Sequence, residues 1–150
     1  MYMKIRIFVT GGTFDKEYDE IKEALLFKNT HLQEMLVLGR ARISVDVSTL
    51  MMVDSLQMTS SEREMIARRC AKASEKNIVI THGTGTMVET AKVIAERVKD
   101  KTIILTGAMI PYTVNNSDGL FNLGSALAFA QALPPGVYIA MNGRYFTPDN

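Results

Sequence analysis

Three apolar runs in this chain each end in threonine with glycine one or two residues on, and no other feature limits the fold as tightly. They are Phe8-Val9-Thr10-Gly11-Gly12-Thr13, Ile78-Val79-Ile80-Thr81-His82-Gly83 and Ile104-Leu105-Thr106-Gly107-Ala108-Met109. A short continuous apolar run bounded by turn residues reads as a strand buried on both faces. Laid parallel in one sheet, three such runs bring their tips to one edge. The central tip, Thr81-His82-Gly83-Thr84-Gly85-Thr86-Met87, precedes a segment of helical spacing and so forms a strand-to-helix turn. Glycine lets a backbone approach a ligand closely, Thr84 and Thr86 offer hydroxyls, and the first amides of the helix point outward unpaired. A turn of this kind suits a small polar guest.

Taken in order, residues 4 to 10 predict a first strand ending at Gly11-Gly12. Residues 14 to 28 form a charged connection with Asp15, Lys16, Glu17, Tyr18, Asp19 and Glu20 at its start. Composition favours a solvated loop or the polar face of a weak helix there; the sharper alternative is a mobile lid over Thr13 with Tyr18 swinging in. Residues 31 to 38 predict a short helix begun by Asn29 or Thr30. Residues 42 to 50 alternate as a strand, with Ile43, Val45 and Val47 on one side, and lead to Asp54-Ser55. A helix starts near Thr59 to Ser61, where Ser61 stands three residues before Glu64, the spacing of a capping box, with Met65, Ile66, Cys70 and Ala73 as the buried stripe. Strand 78 to 81, helix 87 to 98, strand 102 to 105 and a loop from 108 to 117 follow. The helix predicted over 118 to 132 is apolar on nearly every side, with Leu120, Phe121, Leu123, Leu127, Ala128, Phe129 and Ala130. Such a helix is central in a large core or pressed against another chain, and at 150 residues the second is favoured. Pro134-Pro135-Gly136 ends it, 137 to 141 is the last strand, and 142 to 150 is a polar tail.

Strands alternating with helices through short connections give an α/β fold with a mainly parallel sheet and helices on both faces, in which ligands sit beyond the carboxyl ends of the strands. Thr13, Ser55, Thr84 and Ala108 stand at such ends. The chain fits one domain over 1 to 150, with no linker or long repeat. Lys plus Arg is 17 against 16 for Asp plus Glu, which gives nucleic acid or an acidic membrane no field to follow. The lone Cys70 lies on an apolar stripe, reads as packing and fits a reducing compartment. Lys4 and Arg6 interrupt the opening apolar run, which is too short for a signal peptide or membrane span, so a cytoplasmic location is expected.

Several chemistries drop out. Val88 stands where the third glycine of a dinucleotide fingerprint belongs, no Gly-Lys-Ser/Thr phosphate loop exists, and His31 and His82 lack partners at metal spacing. No metal and no cofactor is expected, and His82 reads as a structural group bonded through its ring. What remains is a hydroxyl-rich pocket with Thr13 and Thr84 at separate glycine turns. Either they cap helices, or they serve acyl transfer, where a hydroxyl needs a proton acceptor and turn amides meet the charge on the tetrahedral intermediate.

Five motifs together resemble the bacterial-type L-asparaginases over almost the entire chain. They are Thr-Gly-Gly-Thr at 10 to 13, Asp-Ser-x-x-Met-Thr at 54 to 59, Thr-His-Gly-Thr-x-Thr-Met at 81 to 87, Gly-Ala-Met at 107 to 109 and Ser-Asp-Gly-x-Phe-Asn at 117 to 122. The resemblance implies that family's amino-terminal domain: a flavodoxin-like, Rossmann-like three-layer α/β/α sheet whose threonines attack the side-chain amide of asparagine or glutamine and release ammonia. By position, Thr13 is then the nucleophile, Thr84 the second threonine and Tyr18 the assisting tyrosine. Ser55 holds the substrate carboxylate with amides near Gly12 and Gly83, while Asp54, Gly85 and Ala108 complete the substrate site. Three departures stand out. Gly85 replaces the family's aspartate, which grips the substrate ammonium, at a loss of roughly 1.5 to 3 kcal/mol or about tenfold to hundredfold in binding. The chain ends about where the family's lysine stands, and the family's second domain is not in it. Two functions are therefore expected as alternatives: an amidohydrolase of amino acid metabolism, or a small-ligand binding or regulatory module that has lost the chemistry. Either takes a small amide or carboxylate, and the apolar helix predicts a homodimer or higher homo-oligomer.

Overall fold

The computed structural model describes residues 3 to 27 and 29 to 149. In chain order the elements are β1 (Lys4–Gly11), β2 (Lys16–Asp19), β3 (Ala24–Phe27), α1 (Leu32–Leu38), β4 (Ser44–Val53) and α2 (Ser60–Lys72). Then follow β5 (Asn77–Thr81), α3 (Met87–Arg97), β6 (Thr102–Thr106), α4 (Gly119–Ala132), β7 (Gly136–Met141) and β8 (Arg144–Phe146).

The apolar runs become the middle of the sheet because both of their faces are covered. Ile5, Ile7, Val9, Val79, Ile104 and Tyr138 pack with α1 and α4 on one side. Phe8, Ile78, Ile80, Ile103, Leu105 and Ile139 pack with α2 and α3 on the other. Four buried apolar side chains in β1 alone contribute about 6 to 12 kcal/mol, comparable to the whole net stability of an ordinary domain. That outweighs the cost of Arg6 in the same strand, whose guanidinium meets Glu75 at 3.0 and 3.2 Å and Ser48 at 2.8 Å. The sheet order is β4-β1-β5-β6-β7-β8, parallel except for the β7–β8 pair. The strand order thus reverses at β1, between β4 and β5, and the chain has the flavodoxin-like three-layer α/β architecture in which that reversal opens a crevice at the strand tips.

Local chemistry departs from expectation in three places. Residues 16 to 27 are neither a solvated loop nor a helix: Lys16 to Asp19 pair antiparallel with Ala24 to Phe27 as a hairpin. Helix α2 begins within the expected Thr59 to Ser61 range, but its capping box is Thr59 with Glu62 and not Ser61 with Glu64. Thr59 is the cap, accepting from the Glu62 amide at 3.2 Å while Glu62 Oε1 accepts from the Thr59 amide at 2.8 Å. The polar tail contains β8, paired to β7. Helix α4 buries Leu123, Ala126, Leu127 and Ala130 against the sheet and leaves Phe121 exposed on its outer side. At the other end of α2 the buried Lys101 amine donates to the carbonyls of Cys70 at 2.7 Å, Ala71 at 3.3 Å and Ala73, closing the helix. Met1, Tyr2, Lys28 and Asn150, which end the expected start, connection and tail, lie outside the described residues. No described helix is long and apolar enough to cross a membrane.

Candidate active site

Three strand tips meet where the sheet order reverses. Beyond β1, Gly12 adopts φ 81° and ψ 176°, a conformation open essentially to glycine alone. Its amide donates to Val53 O at 3.0 Å, tying the β1 tip to that of β4. It also lies so close to β5 that a Cβ on Gly12 would stand 2.5 Å from Gly83 N and Cα. Beyond β4, Asp54 caps a short 3₁₀ turn, Ser55–Gln57, by accepting from the Leu56 amide at 3.0 Å. A Cβ on Gly83 would fall 2.6 Å from Ser55 Oγ, so this glycine leaves the serine hydroxyl its room. Thr86 completes the junction: its amide donates to Ser55 Oγ at 3.3 Å and its hydroxyl to Ser55 O at 2.8 Å.

The result is a cleft of about 200 Å³ lined by Gly12 and Thr13 from the first tip, Asp54, Ser55 and Leu56 from the second, and Gly83, Thr84 and Gly85 from the third. That volume suits a ligand the size of a small amino acid. A larger hollow of about 490 Å³ lies beside α1 and β4, lined by Leu36, Val37, Arg40 and Arg42 among others, without glycine turns or paired hydroxyls. The strand-tip cleft is the one with converging polar groups and a switch-point position.

Its electrostatics are simple. Asp54 is held below the ordinary carboxylate range, first by the Leu56 amide and then by Lys16, whose amine donates to Oδ2 at 3.1 Å. Both carboxylate oxygens are thereby occupied. Leu56 reaches over Gly85, where a Cβ would meet Leu56 Cδ2 at 3.0 Å. His82 is fully buried beside the cleft, with Nδ1 2.7 Å from Gly83 O and Nε2 2.7 Å from Thr90 Oγ1. Burial pushes its ring pKa down, so it is neutral near pH 7 and serves as a brace. Burial also pushes the Cys70 thiol up to about 12, which leaves it unreactive under α2.

Thr13, Ser55 and Thr84 therefore come together with Gly12, Asp54, Gly83 and Gly85. Two expected site residues do not join them. Ala108 is buried in the core that β6 shares with α4, and Tyr18 is 54% exposed on β2, opposite Leu25. The base of that hairpin is fixed, because the Thr113 hydroxyl donates to Lys16 O at 3.1 Å and Lys16 is paired to Asp54. Sequence reasoning missed Lys16 and Leu56 at the cleft and Arg63 behind it. Thr86 carried a signal, the Thr-x-Thr spacing; the other three carried none. The Ser-Asp-Gly-x-Phe-Asn stretch works as scaffold. Asp118 accepts from the amides of Met109 and Ile110, and buried Asn122 donates to Gly107 O at 2.8 Å and accepts from the Asn142 amide at 3.0 Å. Among the described residues, no group of three or more His, Cys, Asp or Glu side chains is placed to hold a metal ion.

Residues 4 to 149 match the family model described as Asparaginase, N-terminal. The chain belongs to the asparaginase family. It is 32% identical over 143 residues to an L-asparaginase of Thermococcus kodakarensis, covering 92% of this chain and 44% of that protein. With a glutaminase-asparaginase of Acinetobacter glutaminasificans it shares 41% identity over 102 residues, 63% of this chain and 31% of the other. The solved thermostable L-asparaginase from Thermococcus kodakarensis superposes with a TM-score of 0.86 at 28% identity over 97% of this chain and 46% of that one. This asparaginase-family chain thus spans less than half the length of the relatives it matches, in the region of their amino-terminal domain.

Proposed function

We propose that this domain hydrolyses the side-chain amide of asparagine or a related small amide, with Thr13 as nucleophile. The observation that carries the reading is the convergence of Thr13, Ser55 and Thr84, from three separate strand tips, on one cleft of about 200 Å³. Thr13 Oγ adds to the amide carbon, its proton passes to a base, ammonia leaves, and water then hydrolyses the acyl ester and frees the threonine. Thr84 lies across the cleft to bind and polarise the same group. The substrate carboxylate sits against Ser55 and the amides near Gly12 and Gly83, where turn N–H groups favour an anion. Tyr18 is the proton acceptor in this reading, which requires the β2–β3 tip to close, since its ring is exposed in the present conformation. Ammonia release from asparagine, glutamine and amides lacking the α-amine tests the proposal. Parent protein should release ammonia from at least one of them, and Thr13→Ala and Thr84→Ala should lose at least about a hundredfold, the range of a lost acid–base or nucleophilic contribution. No release above background, or equal release by Thr13→Ala, overturns it.

A second reading is favoured by Leu56 lying over Gly85 and by Asp54 being tied to Lys16: a cleft that binds a small carboxylate without turning it over. Calorimetry that detects succinate or aspartate binding in a protein releasing no ammonia would select it. We read the assembled protein as a cytoplasmic homodimer or larger. Phe121 at 63% exposure on α4 supports association, and the unpaired, buried Cys70 supports a reducing compartment. Sedimentation that finds only monomer at micromolar concentration contradicts the first, and recovery in a periplasmic fraction the second.

A further inference from the structure

We propose that Arg63 is a positioning residue for the strand-tip cleft: its guanidinium sets two hydrogen-bond chains that fix the Ser55 and Gly83 carbonyls and so aim the Thr84 amide at the ligand. The proposal rests on the reading of that cleft as a ligand site.

Arg63 sits in the first turn of α2, half-buried, and each of its three nitrogens donates one hydrogen bond. Nη1 donates to Met58 O at 3.2 Å, Nε to Thr90 Oγ1 at 3.1 Å and Nη2 to Thr86 Oγ1 at 2.8 Å. The guanidinium only donates, and the Ser55 and Gly83 carbonyls at the far ends only accept, so every hydrogen bond between them has one direction. Thr86 accepts from Arg63 and spends its own hydrogen on Ser55 O at 2.8 Å. Thr90 accepts from Arg63 and spends its hydrogen on His82 Nε2 at 2.7 Å, a far better acceptor than Met58 Sδ at 3.7 Å. An accepting Nε2 leaves the ring hydrogen on Nδ1, which donates to Gly83 O at 2.7 Å.

Both chains end on backbone carbonyls of residues that line the cleft. The peptide bonds of the described residues are all trans, so in each unit the carbonyl and the next N–H point to opposite sides. Holding Gly83 O back against buried His82 therefore turns the Thr84 N–H away from the ring and toward the cleft side. The same logic at Ser55 O turns the Leu56 N–H to Asp54 Oδ1, 3.0 Å away, which holds that wall in place. The Thr86 amide on Ser55 Oγ at 3.3 Å links the two walls. A single cation outside the cleft thus anchors the side chains that hold the peptide planes of two of its three sides, and its charge also opposes protonation of His82.

A control lies on the same pair of helices. Arg97 of α3 grips Glu64 of α2 at 2.7 and 3.0 Å, a bidentate pair that is solvent-exposed and sends nothing to the cleft. The test compares parent, Arg63→Met, Arg63→Lys and Arg97→Met by calorimetry with L-aspartate and succinate, by the His82 imidazole nitrogen resonances, of which Nε2 reports its bond to Thr90, and by the Thr84 amide resonance. Arg63→Met should weaken the better probe about tenfold, the lower end for losing a charge-assisted hydrogen bond, and shift both the Thr84 amide and the His82 Nε2 resonance, with the ring hydrogen staying on Nδ1. Arg63→Lys, with one compact charge, should recover part of the affinity, and Arg97→Met should stay within about twofold of parent. Unchanged affinity, Nε2 resonance and Thr84 amide in Arg63→Met overturn the proposal, as does an equal loss in Arg97→Met. Should the parent bind neither probe, the cleft's reading as a ligand site fails, and the positioning claim is decided by the His82 Nε2 resonance and the Thr84 amide alone.

Discussion

Replacing Gly12 by alanine should damage the protein far more than a one-carbon change normally does. Two separate costs meet at that atom. The first is conformational: φ 81° with ψ 176° lies where a Cβ collides with its own backbone, at a cost on the order of 1 to 3 kcal/mol. The second is steric: the Cβ would stand 2.5 Å from Gly83 N and Cα and 2.8 Å from His82 C, all backbone of a buried strand tip that no rotamer change can relieve. Overpacking of that kind costs roughly 1 to 3 kcal/mol more. The sum, about 2 to 6 kcal/mol, lowers Tm by about 4 to 24 °C at this chain length. Gly124→Ala is the matched control, since that glycine is inside α4 and a Cβ there has nothing within 4 Å. It should stabilise by about 1 kcal/mol through helix propensity alone. Thermal unfolding followed by circular dichroism reads both. A Gly12→Ala protein melting within about 2 °C of parent would refute the account of how the β1 and β5 tips are pressed together.

Three further predictions follow from other parts of the molecule. Burial pushes the Asp15 pKa above its ordinary 3.8, against the opposing amide of His31 and hydroxyl of Thr30, so folding favours its protonated form. Any stability lost to that burial is therefore absent at low pH and appears as pH rises through the folded pKa; Asp15→Asn should be stabilising at pH 7 by an increment that vanishes on acidification, and urea melts showing a pH-independent increment would contradict this. Lys101→Met removes the donor to three carbonyls at the end of α2 and should cost about 1.5 to 3 kcal/mol in urea unfolding, with a loss under about 0.5 kcal/mol counting against the capping role. Gly85→Asp places an acid beside the cleft, and the 76% exposed Leu56 side chain is free to yield to it. Calorimetry should show preference for L-aspartate over succinate rising about tenfold to hundredfold, whereas an unchanged ratio would show that position 85 does not face an α-amine.

What the sequence revealed and what it hid divide along physical lines. Strands β1, β5, β6 and β7 were legible because strands buried on both faces must be continuously apolar, and few other structures demand that. The hairpin over 16 to 27 was not, because Lys16 to Asp19 are all polar or amphipathic and their turn, with Glu23 at φ 51°, carries no asparagine or glycine to announce it. Thr59 and Ser61 each precede a glutamate by three residues, so spacing alone cannot choose the helix start; backbone geometry does. Helix α4 looks apolar all round, yet Asn122 is buried in it as a cross-link between the β6 and β7 ends. At the cleft, Thr13, Ser55 and Thr84 were legible because each follows an apolar run into a turn. Lys16 and Arg63 were not, since their partners lie 23 to 38 residues away and a lone cation on a half-exposed element looks like ordinary surface charge.

A crystal structure with L-aspartate or succinate bound tests the central claim most directly. The account predicts a carboxylate on Ser55 and the turn amides, with the other end of the ligand within about 3.2 Å of both threonine hydroxyls, Thr13 and Thr84. A ligand seated elsewhere, or one in the cleft that touches neither hydroxyl, would contradict it.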